Sequence, residues 1–584
     1  MLRLVYSRIM ADEQEITSDA SAVAEGDRVE ASCPIWMGYG EDSWRCGRNL
    51  HITPEGVDEE PVCLMHSKDP HKQSEPLMDA FYAECNRILE AAAEGEAHFE
   101  RFVFPGIDLS KGTLEAICRF NEATFTQDAD FSGATFTRDA DFLGVTFIRN
   151  ANFGGATFTR NANFGGVTFK QDAEFSGVTF AEHAQFRGAT FTLHAGFNGA
   201  TFTQVATFAD VTFMQKADFS KASFMQKAWF WLATFMEHAI FVGATFRKDA
   251  VFVGAIFMDD ANFIHAAFSL VAEFSFASFK ARTRFLSTEF HGTAKWEYCR
   301  FLDRAEFRYM QFDPLPNGEP AAVFTRTSFS KPGEIVFDDV DLSRTLFYNC
   351  DVSQVWFTSS VRWGRRDNDS GLAVFDETIP LDQEFVRGLE RDGQRDYQAV
   401  AQIYQQLKKS YDSRLDYWTA NQFHFGEMEM KRLARPTAGS FLRLRQWLHR
   451  RLSLVALYRY ASDYGNSYWK PLLWLLGTLL AAALLFPIPG LELKQPISGN
   501  AASSASVTYS RVWNRQDSWT NNFWTEAKLI GKSGITAIDT ATFQRTPEYT
   551  PVYPRGRVLA IFETLLTSSL FALFLLAIRR QFRR

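Results

Sequence analysis

The chain has 584 residues, of which 46% are hydrophobic, 22% are charged and 57 are phenylalanine. That apolar content excludes a wholly disordered chain, and a formal charge of −8 over this length excludes a strongly basic nucleic-acid binder. Seven cysteines are odd in number and too few for a disulfide scaffold. The first ten residues, MLRLVYSRIM, are short for a secretory signal and run into acidic ADEQE. The bulk of the chain is therefore expected in a reducing cytosol.

Residues 1–30 are expected to be disordered. Residues 31–72 carry Cys33, Cys46, Cys63 and His66, at spacings C-x12-C, C-x16-C and C-x2-H. Three thiolates and one imidazole are the tetrahedral donor set of a structural zinc, and a short segment without an apolar run gains folding energy from a metal. Four protein ligands leave no open position for catalysis. The competing reading is three unrelated reduced cysteines with His66 on a loop, and His51 and His71 are alternative fourth ligands. Residues 73–98 read as an amphipathic helix with Met78, Phe81, Tyr82, Ile88 and Leu89, expected to cap the domain that follows.

Phe120, Phe125, Phe131, Phe136, Phe142 and Phe147 are spaced 5, 6, 5, 6, 5, a period of 11 that continues to Phe307 and Phe312. The period fills 36 positions, 35 with Phe and one with Trp296, and Ala stands two residues before 27 of them. Such steps would wander around a helix, whereas Ala and Phe two apart point to one side of an extended segment. Gly133, Gly144, Gly155, Gly166, Gly177, Gly188 and Gly199 fall at the second corner position, where a turn can need positive φ. The sixth residue of the longer step is Asp128, Asp139, Asn150, Asn161, Asp172, His183 or His194. These types tolerate left-handed backbone, which predicts a bulged corner. Phe104, Leu109 and Leu114 before, and Leu342, Phe347, Val352 and Phe357 after, extend the register in fives, and Asp313–Val323 interrupts it.

This pattern resembles the pentapeptide-repeat family. The resemblance implies an all-β solenoid over residues 99–357, a right-handed quadrilateral β-helix with 11 residues per two faces. Its 18 units make nine coils, about 43 Å of rod at the usual strand spacing. Stacked Phe rings leave no interior pocket. Thr135, Thr146, Thr157 and Thr168 are expected to form ladders on the outer wall. Some family members mimic DNA and bind topoisomerases, which requires an acidic rod. Cys118–Phe312 holds 19 acidic and 18 basic residues, so a protein partner on the wall is expected and nucleic acid is not.

Residues 358–470 are read as a helical basic juxtamembrane region. Tyr397, Val400, Ile403, Tyr404, Leu407 and Tyr411 have helical spacing. The stretch reads as a helical hairpin, with a weaker resemblance to TPR-like helix pairs. His424, Glu427 and Glu429 are a candidate metal set against the simpler reading of a helix with solvated acids. The FHFGEMEMKR block followed by a membrane tail resembles the wider family's arrangement. Arg443, Arg445, Arg450 and Arg451 alternate with Phe441, Leu444, Leu448 and Leu452, a basic amphipathic surface suited to anionic lipid.

Two apolar runs follow, placing transmembrane helices at 471–488 and 558–578 around an extracytoplasmic loop at 489–557. The tail 579–584 holds Arg579, Arg580, Arg583 and Arg584. Basic residues on the outer flanks of both runs put both termini in the cytoplasm of a multi-pass bacterial inner-membrane protein. Within the loop a short helix is expected near Asn521–Ile530. An intramembrane carboxylate is costly unless it faces a bundle or water, which singles out Glu563 with Thr564, Thr567 and Ser568 as pore residues. The competing reading sets Glu563 at headgroup level. No P-loop, Gly-x-Ser-x-Gly elbow or HExxH occurs, so no enzyme is expected. A membrane-anchored scaffold with a protein partner on its rod is the favoured function. An oligomeric two-helix channel gated through the rod is the alternative, and a homo-oligomer is expected because two helices per chain cannot enclose a pore.

Overall fold

A computed structural model of the protein describes residues 32–38, 43–53, 56–313, 315–366, 371–380, 390–391, 394–434, 451–488, 491–493, 508–509, 519–542, 549–551 and 554–581. The expected disordered segment 1–30 and Arg443, Arg445, Arg450, Arg583 and Arg584 lie outside these. The chain divides into two units, Met1–Arg395 and Asp396–Arg584.

The first unit is a four-walled parallel β-solenoid. Each wall is a stack of mostly two-residue strands, and the four sheets hold 12, 10, 12 and 11 strands, counted around the rod from the wall that holds Ala129. Equivalent residues 22 apart pair in each wall. Ala129 pairs with Ala151 on the first, Thr135 with Thr157 on the second, Ala140 with Ala162 on the third and Thr146 with Thr168 on the fourth. The rod therefore runs to about twelve turns. The flanking five-residue segments supply the coils beyond the nine of the strict repeat.

The repeat fills the interior as its spacing predicts. Phe142 stacks on Phe164 at 4.8 Å and 3°, and Phe153 meets Phe164 edge-on at 5.4 Å. Stacking along the axis and edge contacts across it are both favoured ring geometries. Each fully buried Phe contributes roughly 2–3 kcal/mol of transfer free energy, most of which offsets chain ordering. Two polar inner residues find backbone partners: Thr288 Oγ1 donates to Phe263 O at 2.8 Å and Cys299 Sγ lies 2.8 Å from Phe274 O. The Asp313–Val323 excursion leaves the coil and returns, so Arg300 pairs with Ser328 instead of residue 322.

The corner glycines are left-handed, with φ between +60° and +68° from Gly133 to Gly199. Further on, the same corner stays left-handed without glycine, at Asp210, Lys221, Leu232 and Phe276. The six-residue step differs from expectation. None of Asp128, Asp139, Asn150, Asn161, Asp172, His183 and His194 has positive φ. The acids instead bridge coils. Asp128, Asp139 and Asp172 accept from the backbone N of Asn150, Asn161 and His194 at 3.0–3.2 Å. A side-chain hydrogen bond to the next coil replaces the bulge.

Both ends of the stack are covered. Helix α1 (Glu75–Ala92) sets Phe81 edge-on against Phe104 at 5.3 Å, and Tyr82 Oη donates to Gly106 O at 2.5 Å. At the other end Trp363 lies 5.3 Å from Phe357. The fully buried Asp376 carboxylate accepts from Phe347 N at 3.1 Å.

The second unit is helical. Helices α2 (Tyr397–Ser413) and α3 (Tyr417–Leu433) form the expected hairpin, with Asp396 and Asp416 accepting from first-turn N–H groups. The acids of α3 are not solvated. Glu427 and Glu429 are 5% and 8% exposed. Glu427 pairs with Lys431 at 2.6 Å and lies 3.4 Å from His424. Glu429 takes Arg432, Arg459 and the Tyr464 hydroxyl. Buried carboxylates require such partners. These ion pairs replace both the solvated and the metal-binding readings. Helix α4 (Leu454–Ser462) precedes α5 (Trp469–Leu485), α6 (Trp519–Ala541) and α7 (Pro554–Gln581). Helix α6 is far longer than the segment expected near Asn521–Ile530. Packing overrides the weak propensity of its Gly and Thr residues. Ser533 Oγ donates to Ala483 O of α5 at 2.5 Å, and Thr564 of α7 donates to Thr540 O at 3.3 Å. Among the described residues one helix is long and apolar enough to cross a membrane, Pro554–Arg579. Trp469–Leu485 is apolar but shorter.

Candidate metal centre and tail carboxylate

A hairpin builds the front of the metal segment. Strands β1 (Trp36–Met37) and β2 (Trp44–Arg45) pair antiparallel. At their base Cys33 N donates to Arg48 O and Cys46 N to Ile35 O, both at 2.8 Å. The long C-x12-C spacing is the hairpin itself, which brings Cys46 back beside Cys33. The C-x2-H step then turns under this base, with His66 N and Ser67 N both donating to Cys63 O.

One ligand atom from each of Cys33, Cys46, Cys63 and His66 lies within 4.8 Å of the others. Cys46 Sγ and Cys63 Sγ are 3.8 Å apart, and His66 Nδ1 lies 3.5 Å from Cys33 Sγ and 3.2 Å from Cys63 Sγ. A tetrahedron with metal–sulfur bonds of about 2.3 Å has edges of about 3.8 Å, so the donor set fits zinc. His66 Nε2 lies 3.2 Å from Glu100 O. Donating there leaves Nδ1 free as the ligand, the usual outer-shell device. Hydrogen bonds with Cys33 and Cys63 pull the Cys46 thiol far below its ordinary range, and Arg48 Nη1 stands 3.1 Å away. His51 and His71 are not ligands; they flank Asp69 at 3.1 and 2.9 Å.

Two residues the sequence did not flag hold this segment on the rod. Lys72 is 2% exposed. Its Nζ donates to Val103 O at 2.9 Å and stands 5.1 Å over the Phe81 ring. Arg48 Nε donates to Glu84 of α1 at 2.8 Å. Neither belongs to a motif, because each role depends on contacts about 30 residues away.

Residues 113–157, 153–198 and 197–242 match the family model described as pentapeptide repeats (9 copies). The solenoid is a pentapeptide-repeat domain. No curated protein and no solved structure matches the chain. The matched residues lie within the rod, so the Cys/His segment and the helical unit of this pentapeptide-repeat protein are understood from their own geometry.

In the second unit Glu563 is 4% exposed, and neither carboxylate oxygen meets a hydrogen-bond partner among the described residues. The neighbouring hydroxyls do not serve it. Thr567 donates to Glu563 O, Thr564 to Ala560 O and Ser568 to Thr564 O, all backbone acceptors on α7. Thr567 and Ser568 line a cavity of about 620 Å³ between α5, α6 and α7, whereas Glu563 and Thr564 do not. The four residues therefore do not form one lining. Of the basic residues, Arg451 and Arg579 are exposed, and Arg580 continues α7.

Proposed function

We propose that the chain is a membrane-anchored scaffold whose pentapeptide-repeat rod presents its outer walls to a protein partner in the cytoplasm. Phe142, Phe164, Phe186 and their neighbours are fully buried from coil to coil. Binding is thereby confined to the outside, and this observation carries the scaffold reading. Helix α7 supplies the anchor, and α5 inserts beside it as a second span, with both termini cytoplasmic. A 17-residue helix is at the short limit for a crossing, and packing on α6 and α7 shields part of it. Arg451, Arg579 and Arg580 flank the apolar helices where anionic headgroups would meet them. One structural zinc is held by Cys33, Cys46, Cys63 and His66 and closes the front of the rod. With all four positions taken by protein, it supplies folding energy and no Lewis-acid chemistry.

The second reading is a homo-oligomeric channel, favoured by the buried, unpartnered Glu563 on an apolar helix. Planar-bilayer recording of the purified full chain separates the two. The scaffold reading expects no current with insertion verified. A current whose ion selectivity changes in Glu563→Gln would establish the channel and end the scaffold reading.

A further inference from the structure

The outside of the third wall changes character along the rod. Its outward column reads Asp141, Asn163, Gln185 and Thr207, then Trp229 and Val251, then Glu273. At the corner into the fourth wall, the same coils expose Trp231, Leu232 and Phe276 at 45%, 46% and 61%. The solenoid does not need these side chains, since Gly165 and Gly166 hold the Trp231 and Leu232 positions three coils earlier. Leu232 and Phe276 have φ of +54° and +61°. A side chain there costs about 1–2 kcal/mol relative to the ordinary backbone. Bulky apolar groups are thus kept, against conformational cost, where they face water.

We propose that this patch receives the same patch of a second copy, with the two rods side by side and parallel. The charges select this arrangement. The corner entering the third wall carries Lys227, Arg247 and Lys248 against Asp249. A two-fold axis along the rod lays this basic corner of each copy on the aromatic corner of the other, where cations meet the Trp231 and Phe276 faces. Within one chain Lys227 Nζ already stands 5.9 Å over the Trp229 ring. A two-fold axis across the rod would set basic corner on basic corner, which repels. Flat sheet walls pack about 10 Å apart, within reach of these side chains.

A few coils of one wall fall short of the roughly 800 Å² per partner of a stable interface. The pairing therefore rests on the membrane-anchoring reading, because two tails confined to one bilayer bring the walls together far more often than free diffusion does. Thr207 and Glu273 lie on the proposed axis three coils apart. The test is cross-linking of the full chain in membranes with a thiol-specific bismaleimide whose spacer bridges walls about 10 Å apart, with Thr207→Cys and Glu273→Cys made singly. Each is expected to give a covalently linked homodimer, while wild type and Ile240→Cys on the opposite wall do not. Adding Trp231→Asp to either should cut the cross-linked fraction about tenfold, the loss typical of an interface aromatic; an unchanged fraction contradicts the proposal. Cross-linking at one position alone indicates an antiparallel pair and overturns the parallel one. Absence at both, in chains that sediment with membranes, overturns pairing altogether, as does linkage to a different polypeptide. A chain missing from the membrane fraction overturns the anchoring and, with it, the pairing that depends on the anchor.

Discussion

Phe197 is stacked 4.9 Å from Phe175 and 4.8 Å from Phe219, so each inner ring is held from both sides. Phe197→Ala leaves a cavity that neighbouring coils cannot close, and is expected to cost about 3–5 kcal/mol in urea unfolding. Gly188→Ala meets no atom within 4 Å but must keep φ at +68°, so its cost should be purely conformational, about 1–2 kcal/mol. Equal costs for the two would contradict this division. Asp376 has a pH signature. Burial pushes its carboxyl up to about 7, against the Phe347 N–H bond that favours the charged form. The folded chain keeps a proton that the unfolded chain releases near pH 4. The stability it lends is present at low pH and falls as pH rises toward 7. Asp376→Asn should flatten that part of the pH–stability curve; a slope identical to wild type would exclude Asp376 as its source. At this scale the sequence announced the Phe columns and the glycine corners, because both follow a local period. It misassigned Asp128 and Asp139, whose acceptor role depends on a coil 22 residues away.

At the scale of elements, the Cys/His segment was legible in its ligand types and not in how they meet. No short-knuckle spacing signals that β1 and β2 fold Cys46 back onto Cys33. The prediction is one zinc per full chain by metal analysis. Cys63→Ser should lose it and raise hydrogen exchange across 32–104, while coils 113–242 stay protected. Solenoid coils contact only their neighbours, so loosening one end should not spread. Exchange rising uniformly along the rod would contradict a front-end staple. Helix α6 was underestimated for a related reason. Its Gly531 and Gly534 weaken any local helix signal, while its Ser533–Ala483 contact is tertiary. The buried partners of Glu429 were missed likewise, since Arg459 and Tyr464 lie 30 and 35 residues on.

Across the whole molecule, the proposed function assigns recognition to a rod with a filled interior and attachment to a tail with an apolar helix. The 11-residue period made the architecture readable at once. The tail was readable only as hydropathy, which identifies α7 by length and leaves α5 at the limit. Alkaline carbonate extraction of membranes tests the anchored scaffold most directly. The full chain should remain in the pellet, and a chain ending at residue 468, which retains the rod and loses α5 to α7, should move to the supernatant. A full chain released as completely as the shortened one would contradict membrane anchoring.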